Sequence, residues 1–103
     1  MKVKLEFQYF EDCPNHKQMQ QNLFKAMKGL EDTIELRKII VGDEKTANEA
    51  KFRGSPTLLI NGKDLEDLPE PIKPALACRF YSRGIPSSKT IRNKIIKEIN
   101  RSK

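Results

Sequence analysis

The alternation at the N-terminus, followed at once by a helical period and a second apolar run, limits this chain more than any other feature. Residues 2–10 alternate apolar and polar, with Val3, Leu5, Phe7 and Tyr9 sharing one side, which is the period of a half-buried strand. Residues 14–28 then place Met19, Leu23, Ala26 and Met27, with Leu30 beyond, on one stripe of a helix, and Gly29 is a natural stop. Ile34-Glu-Leu-Arg-Lys-Ile-Ile-Val41 returns as a second strand. A strand, a crossover helix and a second strand over so short a stretch form a βαβ unit, which pairs its strands in parallel with a right-handed connection.

Downstream the elements are shorter. Gly42-Asp43 opens a polar helix over residues 44–51 whose Ala47, Ala50 and Phe52 can face a sheet. Leu58-Leu59-Ile60 reads as a third strand, and Asn61-Gly62 is the strongest short hairpin signal available, so that the chain turns back antiparallel. Two segments compete for the return strand. Residues 63–65 follow the turn directly, but Pro69, Pro71 and Pro74 interrupt what comes after, and Ala77-Cys78-Arg79-Phe80-Tyr81 is the better strand candidate. Ile85-Pro86-Ser87-Ser88 caps a final helix with Ile91, Ile95, Ile99 and Ile96 on its apolar stripe. The expected order is β-α-β-α-β-β-α: an α/β fold in three layers around a mixed four-stranded sheet.

With 103 residues there is one domain and one modest core. The apolar runs at 39–41 and 58–60 are far short of the roughly 20 residues that cross a bilayer, so no membrane association is expected. Lysine and glutamate interrupt the N-terminal segment, which is unlike a secretory signal. Two cysteines in such a chain point to free thiols in a reducing compartment, and hence to the cytoplasm. The net charge of +6 raises the question of nucleic acid. Its C-terminal share, Arg79, Arg83, Lys89, Arg92, Lys94, Lys97, Arg101 and Lys103, reads mostly as the wet face of a helix. No aromatic interleaving, zinc spacing or helix-turn-helix pattern accompanies it, which argues against a nucleic-acid partner.

Chemistry concentrates at Cys13-Pro14-Asn15-His16. Cys13 falls where strand gives way to helix, in the position of an N-cap, with Pro14 at the first helical residue, where its missing N–H is no loss. The unpaired amides and positive end of the helix would favour a thiolate there. The competing reading is a small buried hydrophobe. His16, one turn on, either supports the thiolate as imidazolium or is an exposed residue of the first turn. Asp12 is a proton acceptor beside the thiol or simply ends the loop, and its charge would raise the thiol's pKa. Cys78 either comes back to resolve an adduct on Cys13 or packs in the core beside Phe80 and Tyr81.

Phe10-Glu-Asp-Cys-Pro-Asn-His16, Gly54-Ser-Pro-Thr-Leu-Leu-Ile-Asn-Gly-Lys-Asp64 and Cys78-Arg-Phe-Tyr81 with Gly84-Ile-Pro86 together resemble the thioredoxin superfamily. More narrowly, the chain is similar to the small single-domain thioredoxin-like proteins and selenoproteins often placed beside alkylmercury lyases. The resemblance implies that Cys13 is the nucleophile. It also implies that Pro56 has a cis peptide bond and packs against Cys13, and that the Ser55 backbone is left free for an extended substrate, with Pro14 beside it. The family's second cysteine, three residues after the nucleophile, is replaced by His16. Local release of a mixed disulfide is therefore closed to this chain.

Three functions follow as expectations. The first is a thiol protein with a single active-site cysteine, a thiol–disulfide oxidoreductase in which Cys13 exchanges with a thiol or disulfide substrate, helped by His16, and Cys78 or an external thiol resolves the adduct; Ser55, Pro56 and Pro14 would line the substrate. The second is a binder of soft metals or organometals such as Hg(II), Cu(I) or Zn(II), with Cys13, Cys78 and His16 as a two-sulfur, one-nitrogen set. No closed metal-site spacing is present and no cofactor is called for. The third is a non-catalytic binding module. Cleavage of carbon–mercury bonds stays a further alternative.

Overall fold

The computed structural model describes residues 2–81 and 83–101. Its elements run in the order β1 (Val3–Tyr9), α1 (Asn15–Met27), a 3-10 turn (Glu31–Thr33), β2 (Ile34–Ile40), α2 (Glu44–Ala50), β3 (Thr57–Ile60), β4 (Lys63–Asp64) and α3 (Ser88–Arg101). The strands form one mixed sheet in the order β2-β1-β3-β4. β1 and β2 are parallel with Val3 opposite Ile34, and β3 is antiparallel to both β1 and β4. This is an α/β domain with a mixed four-stranded sheet and, among the described residues, three α-helices.

Strand alternation decides what each face carries. Val3, Leu5, Phe7 and Tyr9 of β1, with Leu58 and Ile60 of β3, meet Met19, Leu23 and Ala26 of α1 and Ile91 and Ile95 of α3 in the main core. Residues of opposite parity face α2. There Val41, Ala47 and Phe52 form a smaller cluster with Phe10, Ile39 and Leu76 against it. Gln8, fully buried on that side, donates from Nε2 to Glu6 Oε2 (2.5 Å) and to the Ala50 carbonyl (3.3 Å), tying the sheet to the end of α2.

Local signals set the element ends. Asp43 caps α2 by accepting the Thr46 N–H (2.8 Å), which holds its carboxyl below the usual value. Gly29 takes a φ of +81° after α1, and the Arg92 guanidinium donates to the carbonyls of Ala26 (3.1 Å) and Lys28 (2.6 Å) at that helix end. Arg92 thus leaves the wet face expected of it. The Ser87 hydroxyl accepts the Thr90 N–H (3.1 Å) where α3 begins.

The competition for the return strand resolves against residues 77–81, the better candidate in sequence. The return strand is the two-residue β4 next to the Asn61-Gly62 turn, and residues 77–81 form no strand. A tight turn leaves the next residues already in register with β3, whereas residues 77–81 are drawn to the opposite end of that strand by contacts described next.

Candidate functional site

β1 ends in a loop whose geometry is set from a distance. The Ser55 hydroxyl accepts the Phe10 N–H (2.9 Å) and donates to the Phe10 carbonyl (3.3 Å), which also accepts the Cys13 N–H (3.0 Å). The carbonyl of Cys13 in turn receives the His16 N–H (3.4 Å), so the first helical turn starts at Cys13. Pro14, exposed, occupies the N-cap position of α1 with helical φ and ψ of −65° and −18° and makes no side-chain cap. The cap thus falls on Pro14, one residue beyond Cys13, while the Cys13 carbonyl already takes part in the first-turn hydrogen bond.

Ser55 reaches the other way with its backbone. Its N–H donates to the Ala77 carbonyl (2.9 Å) and its carbonyl accepts the Arg79 N–H (2.8 Å), an isolated parallel bridge between Ser55 and Cys78. The Ser55 backbone is thus not left free for an extended substrate, contrary to what the resemblance implies. The chain's own residues 77–79 occupy it. The Ser55–Pro56 peptide bond is cis, and Pro56 is buried.

One fully buried serine consequently holds two cysteine-bearing segments, the first by its side chain and the second by its main chain. Cys13 and Cys78 are joined in a disulfide across 65 residues, with α-carbons 5.8 Å apart, inside the range such a bond spans. Neither cysteine is free, in contrast to the free thiols expected from their number. Cys13 is 2% exposed, whereas Cys78 is exposed and does not pack in the core.

A buried ionic lock holds the Cys78 segment. Arg79 donates through Nη1 and Nη2 to the two carboxylate oxygens of Asp64 (2.6 and 2.7 Å), and both side chains are almost wholly shielded from solvent. Asp64 also accepts the N–H groups of Glu66 (2.9 Å) and Leu68 (3.2 Å). Burial pushes the Asp64 carboxyl up, but the Arg79 hydrogen bonds, the two amides and the guanidinium charge outweigh it and keep the group below its ordinary value. Burial likewise works against the Arg79 charge, and Asp64 more than restores it.

The Arg79 guanidinium lies 4.5 Å above the Tyr81 ring. Tyr81 donates from its hydroxyl to the Pro56 carbonyl (2.6 Å). Burial, opposed by the Arg79 charge, raises that phenol well above its usual range, so it stays protonated and able to donate. The two loops cross so closely at Gly54, whose φ is +105°, that a Cβ there would stand 2.9 Å from the Arg79 Cβ.

The structure brings Cys13, Cys78, Ser55 and Pro56 together. The His16 ring stacks on Tyr9, with centroids 4.6 Å apart. Asp12 is exposed. Arg79, Asp64 and Tyr81 are not legible in sequence as site residues. Arg79 reads in sequence as one more surface cation, and only its position beside Cys78 hints at another role.

No family model and no curated protein matches the chain. A solved structure named "Structure of a malarial protein" is similar to it, with a TM-score of 0.62 and 17% identity over 95% of this chain and 97% of that one. At that identity the likeness speaks for the α/β fold alone.

No helix among the described residues is long and apolar enough to cross a membrane. Nor does any group of three or more His, Cys, Asp or Glu among them sit where it could hold a metal ion.

Proposed function

We propose that this chain is a thiol–disulfide exchange protein on a thioredoxin-like version of the α/β fold, with Cys13 and Cys78 as its redox couple. The observation that carries the reading is the disulfide between a cysteine at the start of α1 and an exposed cysteine on a loop pinned to Ser55. The β-α-β-α-β-β-α order and the cis peptide bond before Pro56, on the loop that anchors Phe10, support the thioredoxin-like assignment.

In this reading Cys78 supplies what the His16 position lacks. The dithiol form attacks a substrate disulfide through one thiolate, releasing one substrate thiolate and forming a mixed disulfide. The second cysteine then attacks its partner's sulfur, forms the Cys13–Cys78 bond and releases the other substrate thiolate. Two electrons pass to the substrate, and the protons of the two cysteines end on the two product thiols. The positive end of α1 favours the thiolate of Cys13. A cytoplasmic site of action goes with this reading, since disulfides in a reducing compartment are chiefly transient. The soft-metal alternative would rest on the two thiolates of the reduced form, since among the described residues no three His, Cys, Asp or Glu are grouped to hold a metal ion.

The test is a reaction of the reduced protein with 5,5′-dithiobis(2-nitrobenzoate). Wild type is expected to release two equivalents of thionitrobenzoate per chain and to keep none bound, as Cys13–Cys78 re-forms. Cys13→Ser and Cys78→Ser are each expected to release one and retain one. Two stable adducts on the native wild type, or a disulfide that excess dithiothreitol cannot open without unfolding, would overturn the proposal.

A further inference from the structure

The two cysteines of the couple differ in exposure. Cys13 is 2% exposed, on the loop whose Phe10 Ser55 ties down. Cys78 is exposed and borders a groove of about 380 Å³ walled by Phe52, Leu68, Pro69, Pro71 and Ala77, and Cys13 is not among the residues bordering it. The rim is held in place, because Arg53 Nε donates to the Leu68 carbonyl at 2.9 Å. A groove of this size lies near the lower end of small-molecule sites, and its walls are chiefly apolar, which suits the carbon skeleton of a small thiol.

Which sulfur of a disulfide is attacked depends on which one a thiolate can reach. Within the exchange reading above, on which this inference rests, we infer that an incoming low-molecular-weight thiol seats in this groove and attacks Cys78, with Cys13 as the leaving group. The thiolate gives an electron pair to the Cys78 sulfur; the new bond to Cys78 forms, the Cys13–Cys78 bond breaks, and the pair departs on Cys13. A second molecule of the thiol then attacks the first one's sulfur, releasing the small disulfide and the Cys78 thiolate. Two thiols are oxidised, the protein couple is reduced, and the two thiol protons are taken up by the cysteines or by solvent. By reversibility, Cys78 carries the adduct in the opposite direction and Cys13 resolves it. This exchanges the roles that the sequence resemblance assigns.

The placement of Cys78 suits that role. Its neighbours Ala77 and Arg79 are hydrogen-bonded to Ser55, and Arg79 is locked to Asp64, so the loop is held by contacts other than the disulfide. An adduct on Cys78 therefore stays within reach of Cys13.

Oxidised wild-type protein is mixed with 2-mercaptoethanol, quenched early with excess N-ethylmaleimide, and the modified peptides are identified by mass. The expected result is mercaptoethanol on Cys78 and maleimide on Cys13, exceeding the reverse arrangement by at least about tenfold. Equal amounts, or mercaptoethanol chiefly on Cys13, would overturn the inference and leave the exchange reading standing. No reaction at either cysteine in the native protein would overturn the exchange reading itself, and this inference with it. A second variant, Ala77→Trp, places a bulky side chain in the groove and replaces neither cysteine. It is expected to slow the reaction with 2-mercaptoethanol at least about fivefold at an unchanged unfolding midpoint; an unchanged rate removes the groove from the proposal.

Discussion

Asp64 shows how one side chain can govern a site it never touches. Its carboxylate binds both terminal nitrogens of Arg79 and two backbone amides, and Arg79 sits next to Cys78 in the chain. Removing the charge in Asp64→Asn leaves a buried guanidinium without its counter-ion, which is expected to cost about 3–5 kcal/mol in urea unfolding. The pH dependence follows from the direction of the carboxyl's shift. Because the folded-state value lies below the ordinary one, the contribution of Asp64 is fully present above the ordinary carboxylate pKa and is lost as the pH falls through the folded-state value. Unfolding measured from pH 7 down into that acid range should therefore show wild type losing stability that Asp64→Asn has already lost, so that the two curves converge. Parallel curves would mean that the ion pair adds nothing to the folded state.

Among the elements, the crossing of two loops matters more than any helix or strand. Residues 54–57 and 77–81 are joined by the Ser55 backbone pair, the Tyr81 hydroxyl on the Pro56 carbonyl and the close approach of Gly54 to Arg79. Gly54 is the residue that permits the crossing, since its positive φ and its contact with the Arg79 backbone both exclude a Cβ. Gly54→Ala is expected to destabilise the fold by about 1–3 kcal/mol from the backbone conformation alone, with the added effect of moving the Cys78 loop. A slower re-formation of the Cys13–Cys78 bond after reduction would report that movement, and a variant as stable and as quick to reoxidise as wild type would show that the crossing is not tight.

For the whole molecule, the disulfide ties the N-terminal βαβ unit to the loop that precedes α3, across a separation of 65 residues. By chain entropy, closing a loop of that length stabilises the folded state by roughly 4 kcal/mol. Small domains carry about 5–15 kcal/mol in total. Urea unfolding with and without dithiothreitol is thus expected to differ by roughly 4 kcal/mol, with the reduced chain still folded, because the main core, the sheet and the Arg79–Asp64 lock contain neither sulfur. A reduced form without a cooperative transition would make the bond a structural requirement instead of a working couple.

Much of the scaffold is legible in local sequence because its causes are local. The alternation from Val3 to Tyr9, the stripe of Met19, Leu23 and Ala26, the Asn61-Gly62 turn and the Ile91–Ile95 spacing each state their element within a few residues, and each is buried or turned as its period requires. Cys13, Ser55 and Pro56 are legible as neighbours of one site only through the resemblance to the thioredoxin superfamily, not through local pattern. What sequence alone left open was everything that depends on contacts between distant segments. Nothing local says that residues 63–64 rather than 77–81 pair with β3, or that Arg79 is buried against Asp64 rather than left in solvent. Nor does it say that Cys78 meets Cys13, or which of the two residues is exposed. Periodicity reports the face a residue shows to its own element. The partner across that face, and hence the chemistry of the cysteine pair, is settled only when the loops cross at Ser55.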